Sequence, residues 1–145
     1  MTKPIIILGA GGHSKVLINI LLNQERDVLG YVSPEINTNF KDKLAYLGTD
    51  EIIYDYKPED IDLVNGLGSL PGKEERWKLD NNFSKDYRFS TIVDNSSILA
   101  SDVILEEGVQ ILAGCVIQPG TRIGRGTIVN TSSSIDHDCT IGKEC

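Results

Sequence analysis

A chain of 145 residues is long enough for one ordinary domain or two small ones. At 40 % hydrophobic and 24 % charged residues it has the composition of a soluble globular chain. A net charge of −7 without any basic block argues against nucleic acid and anionic membrane surfaces as partners. The longest apolar run near the start, Ile5–Leu8, is too short for a secretion signal or a membrane span, so the expected location is the cytoplasm.

Lys3–Leu8 is almost wholly apolar and rich in β-branched residues, the pattern of a strand buried on both faces of a parallel sheet. Gly9-Ala10-Gly11-Gly12-His13-Ser14 follows. Val16, Leu17, Ile20 and Leu21 then recur at helical spacing and predict a helix from about His13 to Asn23. Val28–Val32 predicts a second strand. Ile61–Leu67 predicts a third, running into a loop at Gly66-Leu67-Gly68-Ser69. Lys73–Asn81 predicts a helix, and Arg88–Val93 leads out of the domain. The order strand, glycine turn, helix is the first βα element of a doubly wound, Rossmann-like domain with a mostly parallel sheet.

The glycine turn has two readings. Glycines let backbone approach a phosphate closely, and a helix N-terminus offers free N–H groups with a positive dipole end. The same turn can serve chain geometry alone, and Ser14 stands where the dinucleotide fingerprint has its last glycine. His13 lies at the C-terminal edge of the strands, where open α/β sheets bind ligands. Its alternative is an exposed residue at a helix start.

From Val93 the sequence divides into sixes. The first positions are Val93, Leu99, Leu105, Ile111, Ile117, Ile123, Val129, Ile135 and Ile141, aliphatic every time. The fifth positions are Ser97, Val103, Val109, Cys115, Thr121, Thr127, Ser133, Cys139 and Cys145, all small or β-branched. Two positions obeying independent rules mark a real repeat. A period of six suits a triangular β-solenoid in which each hexad makes one short strand and one corner, and three hexads make a coil. Both positions point inward, so the three cysteines are expected to line the interior as small hydrophobes. No CxxC pair is present, and no metal site is expected.

His137 stands out from the repeat. It holds the third position of its hexad, between Asp136 and Asp138, and should project outward. A carboxylate beside an imidazole can fix its tautomer and stabilise its cation, as a general base requires. The alternative is an exposed histidine on an acidic turn.

The combination Gly-x-Gly-Gly-His-x-Lys-Val at the start, a hexad region with Asn130-Thr131, and Asp136-His137-Asp138 resembles the sugar acyltransferases of the sialic acid O-acetyltransferase type. It is most similar to the bacterial N-acetyltransferases acting on nucleotide-linked 4-amino sugars. The resemblance covers the whole chain. It implies an α/β nucleotide-sugar-binding domain over residues 1–91 and a left-handed parallel β-helix over 92–145. It implies acetyl-CoA as donor, a nucleotide-linked sugar as acceptor, and a homotrimer with active sites between neighbouring solenoids. Gly9, Gly11, Gly12 and His13 would line the nucleotide-sugar pocket, with Gly66, Gly68 and Ser69 closing its other side. His137 would be the base, Asp138 would orient it, and Asn130 and Asp136 would lie near the acceptor. Related sequences usually carry an acidic residue directly after the second strand. Ser33-Pro34-Glu35 stands there in this chain, and Glu35 is the candidate substitute. Related chains also continue for several coils beyond the histidine, so the 145 residues are expected to be an incomplete enzyme with little or no turnover of its own.

Three functions compete on these residues. The first is acetyl transfer to the amine of a nucleotide-linked sugar, with O-acetylation of a sialic acid or other sugar hydroxyl as its variant. The second is a non-catalytic nucleotide-sugar-binding module. The third is a NAD-dependent oxidoreductase resting on the glycine turn, which leaves the hexads without a role.

Overall fold

The computed structural model describes residues 2–145, and the chain separates into two compact units, Met1–Phe89 and Ser90–Cys145. In the first unit, β1 (Ile5–Leu8) is buried along its whole length. It lies between two parallel neighbours, β2 (Val28–Val32) and β4 (Asp62–Asn65). The short β3 (Tyr46–Gly48) adds to the far side of β2, giving the all-parallel order β3-β2-β1-β4. Central position explains the apolar run: side chains on both faces of β1 leave water, each full burial contributing roughly 1.5–3 kcal/mol. The sequence does not predict β3, whose three residues are only half-buried.

Helix α1 (Gly12–Asn23) buries Leu17, Ile18, Ile20 and Leu21. It ends where Glu25 turns left-handed at φ 54°, with Arg26 N–H bonded to Leu21 O at 2.9 Å and Glu25 N–H to Leu22 O at 3.0 Å. That paired arrangement satisfies two of the orphan carbonyls at a helix end. The second helix, α2, spans Glu75–Phe83 rather than Lys73–Asn81. Gly72 holds a turn at φ 73° just before it, and Phe83 continues the apolar face that Leu79 begins. Leu79 and Phe83 join Ile6, Leu8, Val32, Ile53, Ile61, Leu63, Tyr87 and Phe89 in one core.

In the second unit the hexads become nine two-residue strands: β5 (Ile92–Val93), β6 (Ile98–Leu99), β7 (Ile104–Leu105), β8 (Gln110–Ile111), β9 (Val116–Ile117), β10 (Arg122–Ile123), β11 (Ile128–Val129), β12 (Ser134–Ile135) and β13 (Thr140–Ile141). They form three parallel sheets, β5-β8-β11, β6-β9-β12 and β7-β10-β13. Every partner lies eighteen residues away, as in Ile92↔Gln110 and Gln110↔Ile128, so three hexads complete one turn of the chain. All nine aliphatic first positions belong to or pack on a single core that also takes in Val103, Val109 and Cys115.

The fifth position is small for a further reason. Ser97 Oγ donates to Leu112 O at 2.7 Å, Thr121 Oγ1 to Asp136 O at 3.0 Å and Thr127 Oγ1 to Gly142 O at 2.8 Å. These three hydroxyls face inward without an unmet hydrogen bond, because each reaches a carbonyl of the next turn. The cysteines divide. Cys115 is buried and lines the interior, Cys139 is half-buried, and Cys145, also expected in the lining, is exposed. Cys145 lies on the last described turn.

The fourth position makes the corner. Gly108, Gly114, Gly120 and Gly126 have φ of 73°, 71°, 75° and 68°, and Ser132, Asp138 and Glu144 follow at 59°, 58° and 57°. The left-handed backbone therefore recurs every six residues, first on glycine and then on residues that tolerate it less well. No helix among the described residues is long and apolar enough to cross a membrane.

Candidate functional site

The residues expected to act together fall into two groups, one in each unit. In the first, the glycine turn leaves the C-terminal end of β1, between the ends of β2 and β4. Gly9 has φ 101°, and a Cβ there would lie 2.8 Å from Leu67 Cδ2. Gly66 is clamped more tightly. A Cβ on it would meet Leu8 O at 2.7 Å, Ile7 Cγ2 at 2.9 Å and the Ser14 hydroxyl. Ser14 Oγ donates to Gly66 O at 3.0 Å, and Gly66 N–H to Leu8 O at 2.7 Å. Ser14 thus ties the start of α1 to the end of β4, and Gly9 and Gly66 are glycines because the chain packs closely there.

Gly11 and Gly12 differ. Nothing lies within 4 Å of the place a Cβ would take on either. Gly11 caps α1 without a side-chain hydrogen bond, and no acidic residue occupies the first turn. The start of α1 is therefore open, with its positive dipole end uncompensated by a nearby carboxylate. A Cβ on Gly68 would lie 3.6 Å from His13 Cβ, so the two loops meet at His13. Gly68 and Ser69 are exposed. The loop is braced from α2: Arg76 Nη1 donates to Asn65 O at 3.1 Å and to Leu67 O at 2.5 Å, and Asn65 Nδ2 returns a bond to Arg76 O at 2.9 Å. Asn37, not singled out in the sequence, donates from Nδ2 to Ala10 O at 2.7 Å and pins the glycine turn from the opposite side.

Beside Gly9 opens a cleft of about 320 Å³ lined by Gly9, Val32, Ser33, Pro34, Asp50 and Leu67, with Glu75, Lys78, Leu79 and Asn82 from α2. Glu35 is exposed and not among its lining residues; its carbonyl accepts from Ser33 Oγ at 2.5 Å. One of the two acidic residues in that lining is Asp50, which opens the 3-10 segment Asp50–Asp55 after β3. Burial, with Glu51 adding to it, pushes the Asp50 carboxyl above the usual carboxylate range. Asp50 is not singled out in the sequence.

In the second unit, Asp136, His137 and Asp138 are exposed at one corner. His137 Nδ1 lies 2.7 Å from Asp138 Oδ2. Asp138 N–H is anchored to Pro119 O at 2.9 Å, and Asp136 O accepts from Thr121. The backbone of the triplet is thus held on both sides by the preceding turn, eighteen residues back. Room for the Asp138 carboxylate exists because its stacking neighbour is Gly120, where a Cβ would run into Asp138 Oδ1. The Asp138 hydrogen bond, its charge, and more weakly the charge of Asp136 raise the His137 pKa above its ordinary 6.5. An imidazole so bonded carries its proton on Nδ1 and presents Nε2 as an acceptor. Asn130 is exposed, with Oδ1 accepting Thr131 N–H at 2.9 Å. Among the described residues no three His, Cys, Asp or Glu side chains are grouped to hold a metal ion.

Solved structures with this build define a class, the acetyl-CoA-dependent acetyltransferases. The acetyltransferase domain of PglB from Neisseria gonorrhoeae, in complex with acetyl coenzyme A, superposes with a TM-score of 0.84 at 21 % identity, over 99 % of this chain and 69 % of that one. At that identity the likeness is one of fold. A histidine-to-alanine mutant of GDP-perosamine N-acetyl transferase from Caulobacter crescentus, in complex with CoA and GDP-perosamine, gives 0.84 at 25 % identity, over 100 % and 68 %. PerB from the same organism, also with CoA and GDP-perosamine, gives 0.83 at 26 %, again over 100 % and 68 %. This chain belongs to the PglD N-terminal domain family, which matches residues 4–78. No curated protein sequence matches it.

Proposed function

We propose that the chain carries the nucleotide-sugar-binding and base-bearing parts of an enzyme that transfers an acetyl group from acetyl-CoA to the amino group of a nucleotide-linked amino sugar. The observation that carries the reading is the His137–Asp138 pair, 2.7 Å apart on an exposed corner whose backbone is fixed by the preceding turn. The amine nitrogen attacks the thioester carbonyl carbon while His137 Nε2 takes the amine proton. The tetrahedral intermediate then expels the coenzyme's thiolate, which takes a proton in its turn. Asp138 holds the ring and steadies the imidazolium. Asn130 and Asp136 are assigned to the acceptor sugar.

In the first unit the diphosphate is assigned to the open start of α1, at Gly11, Gly12 and His13, with Gly9, Gly66, Gly68 and Ser69 shaping the floor and Glu35 at the rim. The family membership and the neighbours' nucleotide-sugar and coenzyme complexes support this division. The nucleotide-sugar part is residues 1–91, and residues 92–145 are the hexapeptide-repeat part. We read the stacked eighteen-residue turns as a left-handed parallel β-helix. Homotrimer formation is supported by aliphatic side chains on the outer strand faces, Ile98 at 67 % and Ile104 at 51 % exposure. A cytoplasmic location fits a donor and an acceptor of this kind.

The test is His137→Ala in the natural protein that carries this sequence. Turnover should fall by about 10²–10⁴, the contribution of a positioned base, with nucleotide-sugar affinity nearly unchanged. Full activity in the variant would move the base elsewhere.

A further inference from the structure

We infer that the cleft between the ends of β1 and β2 and helix α2 receives the nucleobase, and that Asp50 selects guanine within it. The inference rests on the nucleotide-sugar reading above and says which nucleotide.

The cleft and the start of α1 are chemically distinct places. The start of α1 is open, polar and without a carboxylate in its first turn, as an anion requires. The cleft carries two carboxylates, Asp50 and Glu75, against one cation, Lys78. Lys78 Nζ lies 3.3 Å from Glu74, so part of its charge is engaged outside the cleft. A diphosphate would be repelled there. An uncharged ring with N–H donors would not.

The lining otherwise suits a flat ring. Gly9, Val32, Pro34, Leu67 and Leu79 supply apolar surface, and about 320 Å³ is the scale of a small-ligand pocket. Ser33, though in the lining, has little left to offer: its hydroxyl donates to Glu35 O, its N–H to Gly48 O, and its carbonyl accepts from Tyr46 Oη. The polar groups left for reading a base are Asp50, Glu75 and Asn82.

Asp50 is the unusual one. It is half-buried at the head of a 3-10 segment, and no hydrogen bond or ion pair to its carboxylate occurs among the described residues. A partly desolvated carboxylate with two open oxygens costs stability unless something donates to it. Two oxygens side by side match two adjacent N–H donors. Guanine presents such a pair at N1 and at its exocyclic amine. Uracil and thymine offer a single N–H flanked by two carbonyls, which a carboxylate repels. The Asn82 amide can donate to the remaining guanine carbonyl.

The experiment is calorimetric titration of the whole chain with GDP, IDP, UDP and dTDP, repeated on Asp50→Asn. GDP should bind at least tenfold more tightly than UDP or dTDP. IDP, which lacks the exocyclic amine, should fall between. Asp50→Asn should shrink the GDP-to-UDP ratio severalfold, weakening GDP through the lost acceptor and strengthening UDP through the lost repulsion. UDP or dTDP binding as tightly as GDP would overturn the inference while leaving the nucleotide-sugar reading intact. So would IDP matching GDP, or an unchanged ratio in Asp50→Asn. Failure of all four nucleotides to bind would overturn both. The comparison among ligands on the unaltered chain needs no variant to fold.

Discussion

Asp138→Gly separates what the corner needs from what the chemistry needs. Asp138 stands at φ 58°, in a series of left-handed corners that four glycines occupy earlier in the repeat. A side chain in that region costs roughly 1–2 kcal/mol, somewhat less for Asp. Glycine removes that cost but returns about 0.5–1 kcal/mol through the greater freedom of the unfolded chain. The anchoring bond from the residue 138 N–H to Pro119 O is backbone and survives. The lost carboxylate is 80 % exposed, so its pairing with His137 contributes little to stability. The net expectation is a gain of roughly 0.5 kcal/mol, an upward shift of about 1–2 °C in the melting midpoint of a chain this size. Turnover should move the other way, falling about ten- to thousandfold as the base loses its orienting partner. Thermal unfolding by circular dichroism and a free-thiol assay for released coenzyme measure the two effects on one preparation. A lower midpoint with unchanged turnover would refute both the strain and the orienting role.

Other expectations follow from the same geometry. A general base acts in its neutral form, so with His137 in the proposed role the acid limb of the pH–rate profile should fall above the ordinary histidine pKa of 6.5, because Asp138 favours the imidazolium; Asp138→Asn should move that limb to lower pH. Gly66→Ala should destabilise the first unit by about 1–3 kcal/mol, since its Cβ would meet Leu8 O and Ile7 Cγ2 below 3 Å, and urea unfolding will show it. Gly11→Ala has open space and should leave the unfolding midpoint unchanged; Gly11→Leu, projecting into the path of a phosphate, should weaken nucleotide-sugar binding tenfold or more by calorimetry. Gly120→Ala combines a left-handed φ of 75° with a collision at Asp138, so it should lower both stability and turnover.

What the sequence made visible follows from how strongly each residue pattern is tied to burial. Ile5–Leu8 and Val28–Val32 could be read because a strand in the middle of a parallel sheet leaves an unbroken apolar run. Tyr46–Gly48 could not, because a three-residue strand at the sheet's edge buries too little to leave a pattern. Missing β3 also hid Asp50, whose place in the cleft depends on the chain turning back after that strand. In the repeat, the aliphatic first position announced eighteen-residue stacking. The corner rule was equally periodic, at Gly108, Gly114, Gly120 and Gly126, but its continuation on Ser132, Asp138 and Glu144 shows only in the dihedral angles. The glycines of the two loops look alike in sequence. Only packing distinguishes Gly9 and Gly66, which are enclosed, from Gly11 and Gly12, which are open.

The proposed reaction is transfer of an acetyl group to a sugar nitrogen. The direct measurement is mass spectrometry of the product formed by the natural protein from acetyl-CoA and a nucleoside-diphosphate-linked amino sugar, run beside the analogue bearing a hydroxyl in place of the amine. The account predicts one acetyl group gained on the amino sugar, in an amide that survives mild alkali, none on the hydroxyl analogue, and loss of the product in His137→Ala. An alkali-labile ester on the hydroxyl analogue, or an amide formed equally well by His137→Ala, would contradict it.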